Sequence, residues 1–192
     1  METYTLVVLL LAATLMLLSA LIELAAGRRL ISASGRVRFW AGDVRSPENL
    51  QQFADWYSFT HILHGFILYA AIIWLTHGAW PLGLCFLAAV FLECCWEVLE
   101  NSRFIINRYR QTMAQGYAGD TVLNSMSDIF FASLGFTLAH WLPVWLAITL
   151  LAAIETGLVV RIRDNLTLNV IMLIYPFPRI KHWQTHINRK AD

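Results

Sequence analysis

The chain has 192 residues, 58% of them hydrophobic and 14% charged, with a formal net charge of +1. Soluble domains are nearer half apolar and a quarter charged, so the composition excludes an ordinary water-soluble fold and directs the chain to lipid, as one domain. The near-neutral balance also excludes the concentrated basic footprint of a nucleic-acid partner.

The first apolar run, residues 5–26, is preceded by Glu2 with no Lys or Arg, and it outlasts the apolar core of a signal peptide. It reads as a retained spanning helix. Four more segments, at about 58–76, 81–99, 121–141 and 142–160, are each long enough to cross a bilayer core of about 30 Å as a helix. The connections at 77–81 and 140–143 are short, which pairs the second span with the third and the fourth with the fifth as antiparallel hairpins. Segment 166–176 is apolar but nearer half a span, and Pro176 and Pro178 stop it, so an interfacial or half-spanning piece is expected before a basic tail at 177–192. The predicted fold is all-α: a polytopic transmembrane bundle of five spanning helices plus that short C-terminal segment.

All 14 Lys and Arg residues fall in three regions: Arg28, Arg29, Arg36, Arg38 and Arg45; Arg103, Arg108 and Arg110; and Arg161, Arg163, Arg179, Lys181, Arg189 and Lys190. With five spans these share one side, which the positive-inside rule makes cytoplasmic. Trp40, Trp56, Trp80, Trp141, Trp145 and Trp183 lie near segment ends, at the headgroup level. Cys85, Cys94 and Cys95 share one apolar segment and read as buried thiols, since neither a disulfide framework nor a CxxC knuckle is available.

Ionisable groups inside spans are costly and usually face protein or water. His61 and His64 are spaced i, i+3 on the second span. Glu93, Glu97 and Glu100 form a stripe on the third, and Asp120, Asn124 and Asp128, with Ser127 adjoining, form one on the fourth. Each stripe lies toward the side of the Arg-rich loops, which predicts a polar cavity open to one face and roofed by the loop 101–119. His61, His64, Glu97 and Asp128 suit a divalent metal such as zinc. Glu97, Asp120, Asp128 and Asn124 equally suit metal-free acid/base catalysis, and a structural role as helix-pairing groups stays open beside both. In the roof, Arg108 and Arg110, with Tyr109 between them, could hold a phosphate by forked hydrogen bonds, or could simply obey the charge rule and pair with Glu100 or lipid phosphates. Glu23 and Glu155 read as interfacial or helix-pairing carboxylates, His77 and His140 as solvated turn residues, and His182 and His186 as part of a surface amphipathic tail.

The blocks Asp55-Trp56-Tyr57-Ser58-Phe59-Thr60-His61-Ile62-Leu63-His64-Gly65-Phe66, Trp96-Glu97-Val98-Leu99-Glu100-Asn101, Ile106-Asn107-Arg108-Tyr109-Arg110, Gly119-Asp120 through Ser127-Asp128, and Ile162-Arg163-Asp164-Asn165 through Val170 resemble an uncharacterised family of alphaproteobacterial inner-membrane proteins. The resemblance runs from about Gly27 to the basic tail and implies the fold and location, with no known reaction. The chain departs from the family pattern at Ser32-Ala33-Ser34-Gly35, where a Cys-x-Cys-Gly element is expected, and at Gln52, where a histidine is common. The loop therefore lacks the thiols that a metal or redox role there would need. The Gly119 to Asp128 segment is more distantly similar to VanZ-like membrane proteins, and an Asp pair at helix ends to lipoprotein signal peptidases. Two functions remain: a hydrolase or transferase acting on an anionic, lipid-linked or otherwise amphiphilic substrate, and an accessory subunit or small transporter that uses the carboxylates as a proton or cation pathway.

Overall fold

Backbone N–H and C=O groups that meet no water must pair within their own segment, which leaves an isolated apolar run only the helix. The computed structural model describes residues 2–112 and 117–185. In chain order it holds α1 (Glu2–Ala25), α2 (Ser58–Leu75), α3 (Leu82–Glu100), α4 (Arg103–Thr112), α5 (Val122–Trp141), α6 (Val144–Ile162), α7 (Leu166–Ile174) and α8 (Pro178–Thr185). Five of these, α1, α2, α3, α5 and α6, are long and apolar enough to cross a membrane. At a rise of about 1.5 Å per residue even the shortest is about 27 Å long, so the bundle fits a multi-pass membrane protein.

The roof between α3 and α5, expected as a loop, contains α4. Its buried residues Ile105, Ile106, Tyr109 and Thr112 fall on one helical face, and Arg103, Asn107 and Arg110 are exposed. Apolar residues spaced this way are too few for a span but enough to seat a short surface helix. The first loop also holds a parallel pair of two-residue strands, β1 (Trp40–Ala41) and β2 (Ala54–Asp55). Gly116, His186, Arg189 and Lys190 lie outside the described residues.

α5 is the axis of the bundle. α2 packs along it most extensively, α1 and α3 pack on each other and on α5, and α6 lies against α2 and α5. The apolar core forms where Ala12, Val90, Cys94 and Ile129 meet, and again around Ile72, Cys85, Ala89 and Phe136. α1 and α6 leave Leu6, Leu10, Leu17, Leu21, Val144, Ile148 and Val160 exposed, a pattern that fits lipid-facing helices.

At one end the first loop clamps the start of α5. The N–H groups of Val122 and Leu123, which no helical turn can satisfy, donate to Arg29 O at 2.9 Å and Leu30 O at 3.1 Å. Thr121 caps the helix by accepting from Asn124 N at 3.3 Å. Just before it, Gly119 has φ +88°, and a Cβ there would fall on the Arg28 guanidinium.

α7 is held at both ends. Asn165 Oδ1 accepts from Leu168 N at 2.8 Å, and the Glu155 carboxylate of α6 accepts from Leu166 N at 2.9 Å and Thr167 N at 3.3 Å. At the far end Arg108 of α4 donates from Nε to Leu173 O at 2.8 Å and from Nη2 to Ile174 O at 2.7 Å. Its nine residues reach about half a span, as expected from the length of the apolar run.

Candidate functional site

His61 lies in the first turn of α2 and His64 one turn on, Glu93 and Glu97 lie in the last turns of α3, and Asp128 lies in the second turn of α5. Antiparallel connection of these helices brings all five to one end of the bundle. The three glutamates, equivalent as a sequence stripe, are not equivalent in space. Glu93 Oε1 accepts from His61 Nδ1 at 2.7 Å and from His64 Nδ1 at 2.9 Å, so one carboxylate oxygen holds both imidazoles. Opposite an ionised carboxylate each ring donates from Nδ1, which leaves both Nε2 atoms pointing away from Glu93. His61 Nε2 lies 3.8 Å from Asp128 Oδ2, and the other oxygen of Asp128 accepts from Ser58 Oγ at 3.1 Å. Glu97 Oε1 is 3.4 Å from His61 Nδ1, yet has no hydrogen-bond partner among the described residues and belongs to a side chain only 1% exposed.

Donor atoms of His61, His64 and Glu93, and separately of His61, Glu97 and Glu100, lie within 4.8 Å of one another, with His61 common to both sets. Tetrahedral zinc with bonds of about 2.0–2.1 Å separates its donors by about 3.3 Å. The His61–Glu97 distance already has this value, and the two Glu93 contacts would open by about half an ångström as an ion displaced the imidazole protons. The unpaired Glu97 oxygen is the kind of buried group that such an ion would satisfy.

The cluster borders a cavity of about 290 Å³. His61, His64, Glu93, Glu100, Asp120 and Asp128 form its polar wall; Ile67, Leu68, Leu92, Trp96, Val170 and Leu173 form its apolar wall. Tyr117 donates its hydroxyl to Asp120 Oδ1 at 2.9 Å, and Tyr109 donates to Asn169 Oδ1 at 3.1 Å. Burial holds the Asp120 carboxyl well above the usual carboxylate range, and the charge of Glu100 acts in the same direction against the Tyr117 hydrogen bond. The Tyr117 phenol is pushed up by burial and by the charges of Asp120 and Glu100, so it remains a donor. A second, larger concavity of about 1650 Å³ adjoins the cavity, and Leu50, Tyr57, Tyr117 and Asp120 line both.

Two expected site residues are elsewhere. Asn124 donates from Nδ2 to Gln52 O at 3.0 Å and faces the first loop, because its place one turn before Asp128 puts it under the α5 cap rather than on the cavity wall. Arg108 lines neither concavity; its guanidinium is spent on the last carbonyls of α7. Arg110 does line the larger concavity, where it donates to Tyr117 O, and Tyr109 lines the smaller. Glu155, read as interfacial or helix-pairing, caps α7. Glu23, read the same way, is 1% exposed, and neither carboxylate oxygen meets hydrogen-bond geometry with the described residues, although Ser125, Ser19 and Arg28 lie near it.

Sequence spacing also missed a pair outside the spans. Tyr57 donates its hydroxyl to Asp164 Oδ2 at 3.0 Å, across 107 residues, while Asp164 Oδ1 accepts from Asn165 N and Gln184 Nε2. Burial pushes the Asp164 carboxyl up to about 7, against the hydrogen bonds that it accepts. Only the short block Ile162-Arg163-Asp164-Asn165 gave any signal, and it named no partner.

Fold and site together define a polytopic helical bundle with a buried histidine–carboxylate cluster at one end. The chain belongs to the family described as "Protein of unknown function (DUF2585)", whose profile matches residues 23–186. It is 48% identical over 179 residues to a UPF0314 protein of Sphingopyxis alaskensis, covering 91% of this chain and 93% of that one. It is 45% identical over 174 residues to a UPF0314 protein of Agrobacterium fabrum, covering 90% and 87%, and 43% identical over 168 residues to one of Paracoccus denitrificans, covering 87% and 86%. A resemblance to the VanZ-like proteins is not shown by these matches. No solved structure matches the chain.

Proposed function

We propose that this is a multi-pass protein of a bacterial inner membrane, with its Arg-rich loops cytoplasmic, that acts as a hydrolase or transferase on an amphiphilic substrate. The observation that carries this reading is the unpaired Glu97 oxygen beside His61, in a cluster where Glu93 already binds two imidazoles. Leaving a buried acceptor unmatched costs about 1–3 kcal/mol, a cost that a bound cation would offset. His61, His64, Glu93 and Glu97 are suited to hold a divalent ion such as zinc, which would supply an activated water. Asp128, beside His61 Nε2, is suited to accept a proton from the attacking group. Asp120, at the rim shared with the larger concavity and with its carboxyl raised by burial, is suited to protonate a leaving group.

The test is metal analysis of protein purified in a mild detergent, alongside His64→Ala and Asp128→Ala. Stoichiometric metal in the wild type, lost in His64→Ala while the protein stays folded, supports the reading. A metal-free wild type that incorporates no added zinc removes the metal. Asp128→Ala with unimpaired physiological complementation removes the catalysis.

One observation favours a second reading, a proton or cation pathway: Glu23 places a buried carboxylate, with Ser125, Ser19 and Arg28 as its polar neighbours, inside the bundle and away from the cavity. Proteoliposome proton or cation flux abolished by Glu23→Gln, with metal content unchanged, would favour that pathway over the enzyme.

A further inference from the structure

The larger concavity is basic. Its walls bring together Arg29 and Arg45 of the first loop, Arg110 of α4, Arg161 and Arg163 at the end of α6, and Lys181 of α8. These cations, drawn from four separate parts of the chain, outnumber the three carboxylates of the same wall, Asp43, Asp120 and Asp164, and the excess repels itself unless an anion lies among them. The protein's own carboxylates do not meet this need by contact. Among the described residues every ion pair within 4.0 Å is between a histidine and a carboxylate, and no Arg or Lys takes part in one. Several of these cations are instead steadied by neutral groups. Arg110 donates to Tyr117 O, Arg163 donates to Trp183 O at 2.9 Å, and Arg161 lies 5.4 Å from the centre of the Trp56 ring. Such contacts orient a guanidinium without neutralising it.

The basin is not isolated. It meets the cavity along Tyr57, Tyr117 and Asp120, and beyond that rim the cavity has the apolar wall of Ile67, Leu92 and Trp96. A cationic basin, an acidic reaction centre and an apolar wall thus follow one another in space. At about 1650 Å³ the basin exceeds the roughly 300–1,000 Å³ typical of small-molecule pockets, so it has room for more than a single phosphate.

We propose that the basin binds the phosphate or diphosphate headgroup of the substrate, with the bond to be broken at the Tyr117–Asp120 rim and the hydrocarbon along the apolar wall. This rests on the enzymatic reading and names its substrate class: a phosphorylated amphiphile. It also moves anion recognition from the Arg108–Arg110 pair to a set of cations that no single stretch of sequence contains. The forked donors of arginine suit phosphate oxygens, and the basin presents several of them unpaired.

The test is equilibrium binding in a neutral maltoside detergent, with inorganic pyrophosphate and, separately, phosphatidic acid dispersed in the same detergent. The Arg29→Gln/Arg45→Gln double variant changes two exposed basin cations that make no side-chain hydrogen bond to the described residues. Arg36→Gln/Arg103→Gln changes two exposed arginines outside the basin and serves as a charge-matched control. The proposal expects phosphatidic acid to bind at least tenfold more tightly than pyrophosphate, and the basin variant to lose at least tenfold in affinity for both while the control loses less than twofold. Equal losses in both variants would reduce the effect to general surface charge and overturn the site. Equal affinity for the two probes would overturn the amphiphile. Binding of neither would overturn the whole proposal. The readout needs neither metal nor turnover, so its failure stands apart from failure of the metal analysis.

Discussion

Gly65 of α2 and Gly135 of α5 let their helices meet backbone to backbone: a Cβ on Gly65 would lie 2.0 Å from Ala132 O, and one on Gly135 2.0 Å from Ile62 O. Gly65 is one turn from His61, and Gly135 lies on the helix that carries Asp128, so this contact sets the spacing of the histidine and aspartate across the cavity. Small residues at such crossings are what allow helices to approach in an apolar medium, where dispersion and hydrogen bonds do the holding.

Gly65→Ala and Gly135→Ala must therefore push α2 from α5. Each is expected to lower stability by about 1–3 kcal/mol, the range for overpacking a tight interior, and to lower metal content as His61 moves from its partners. Gly157→Ala on α6, whose Cβ would meet nothing within 4 Å, serves as the control and should be neutral or slightly stabilising. Thermal melting in detergent, paired with metal analysis, reads both effects. Unchanged melting in Gly135→Ala would contradict the close contact.

Glu97 and Glu93 should separate metal affinity from stability. Glu97 Oε1 makes no hydrogen bond, so Glu97→Gln is expected to lower zinc affinity at least tenfold with little change in melting temperature. Glu93→Gln weakens two charge-assisted bonds to His61 and His64 and should lower both. Equal behaviour of the two variants would refute this division of roles.

Asp164 makes stability depend on pH. Its carboxyl lies near 7 when folded, above the value of about 3.9 expected of an unfolded chain. The folded state therefore holds the extra proton between these values, and the stabilisation present at low pH is lost as pH rises through about 7, at no more than about 1.4 kcal/mol per pH unit. Asp164→Asn keeps an acceptor and cannot ionise, so its melting temperature should fall less than that of the wild type between pH 5 and pH 8. Parallel pH profiles for the two proteins would exclude the linkage.

Arg108 should act through α7. Arg108→Ala frees the Leu173 and Ile174 carbonyls, and amide hydrogen exchange across α7 is expected to rise. Arg108→Lys should not restore protection, because an ammonium lacks the planar fork that spans two neighbouring carbonyls. Phosphate affinity should be unaltered in both, since Arg108 lines neither concavity.

The three polar stripes were legible because an ionisable residue within an apolar run is conspicuous, and helical spacing gives each stripe one face. Which glutamate met the histidines was not legible: Glu93, Glu97 and Glu100 share a face, and only the way α3 packs on α2 separates them. The same limit explains Arg108 and Glu155. A charge near a helix end has no visible partner until α4, α6 and α7 are assembled around it.

The sequence by itself determined the five long helices and their shared polar end, because apolar length and 3.6-residue periodicity are local properties of the chain. It did so for the half-length α7 as well, and for the family. Only the tertiary structure decided that Glu93 binds both histidines, that Glu97 is left unpaired, that Gly65 and Gly135 join α2 to α5, and that cations from four regions share one basin. Those are relations between distant segments, and their geometry depends on helix rotation and approach, which side-chain packing sets and spacing along the chain does not encode.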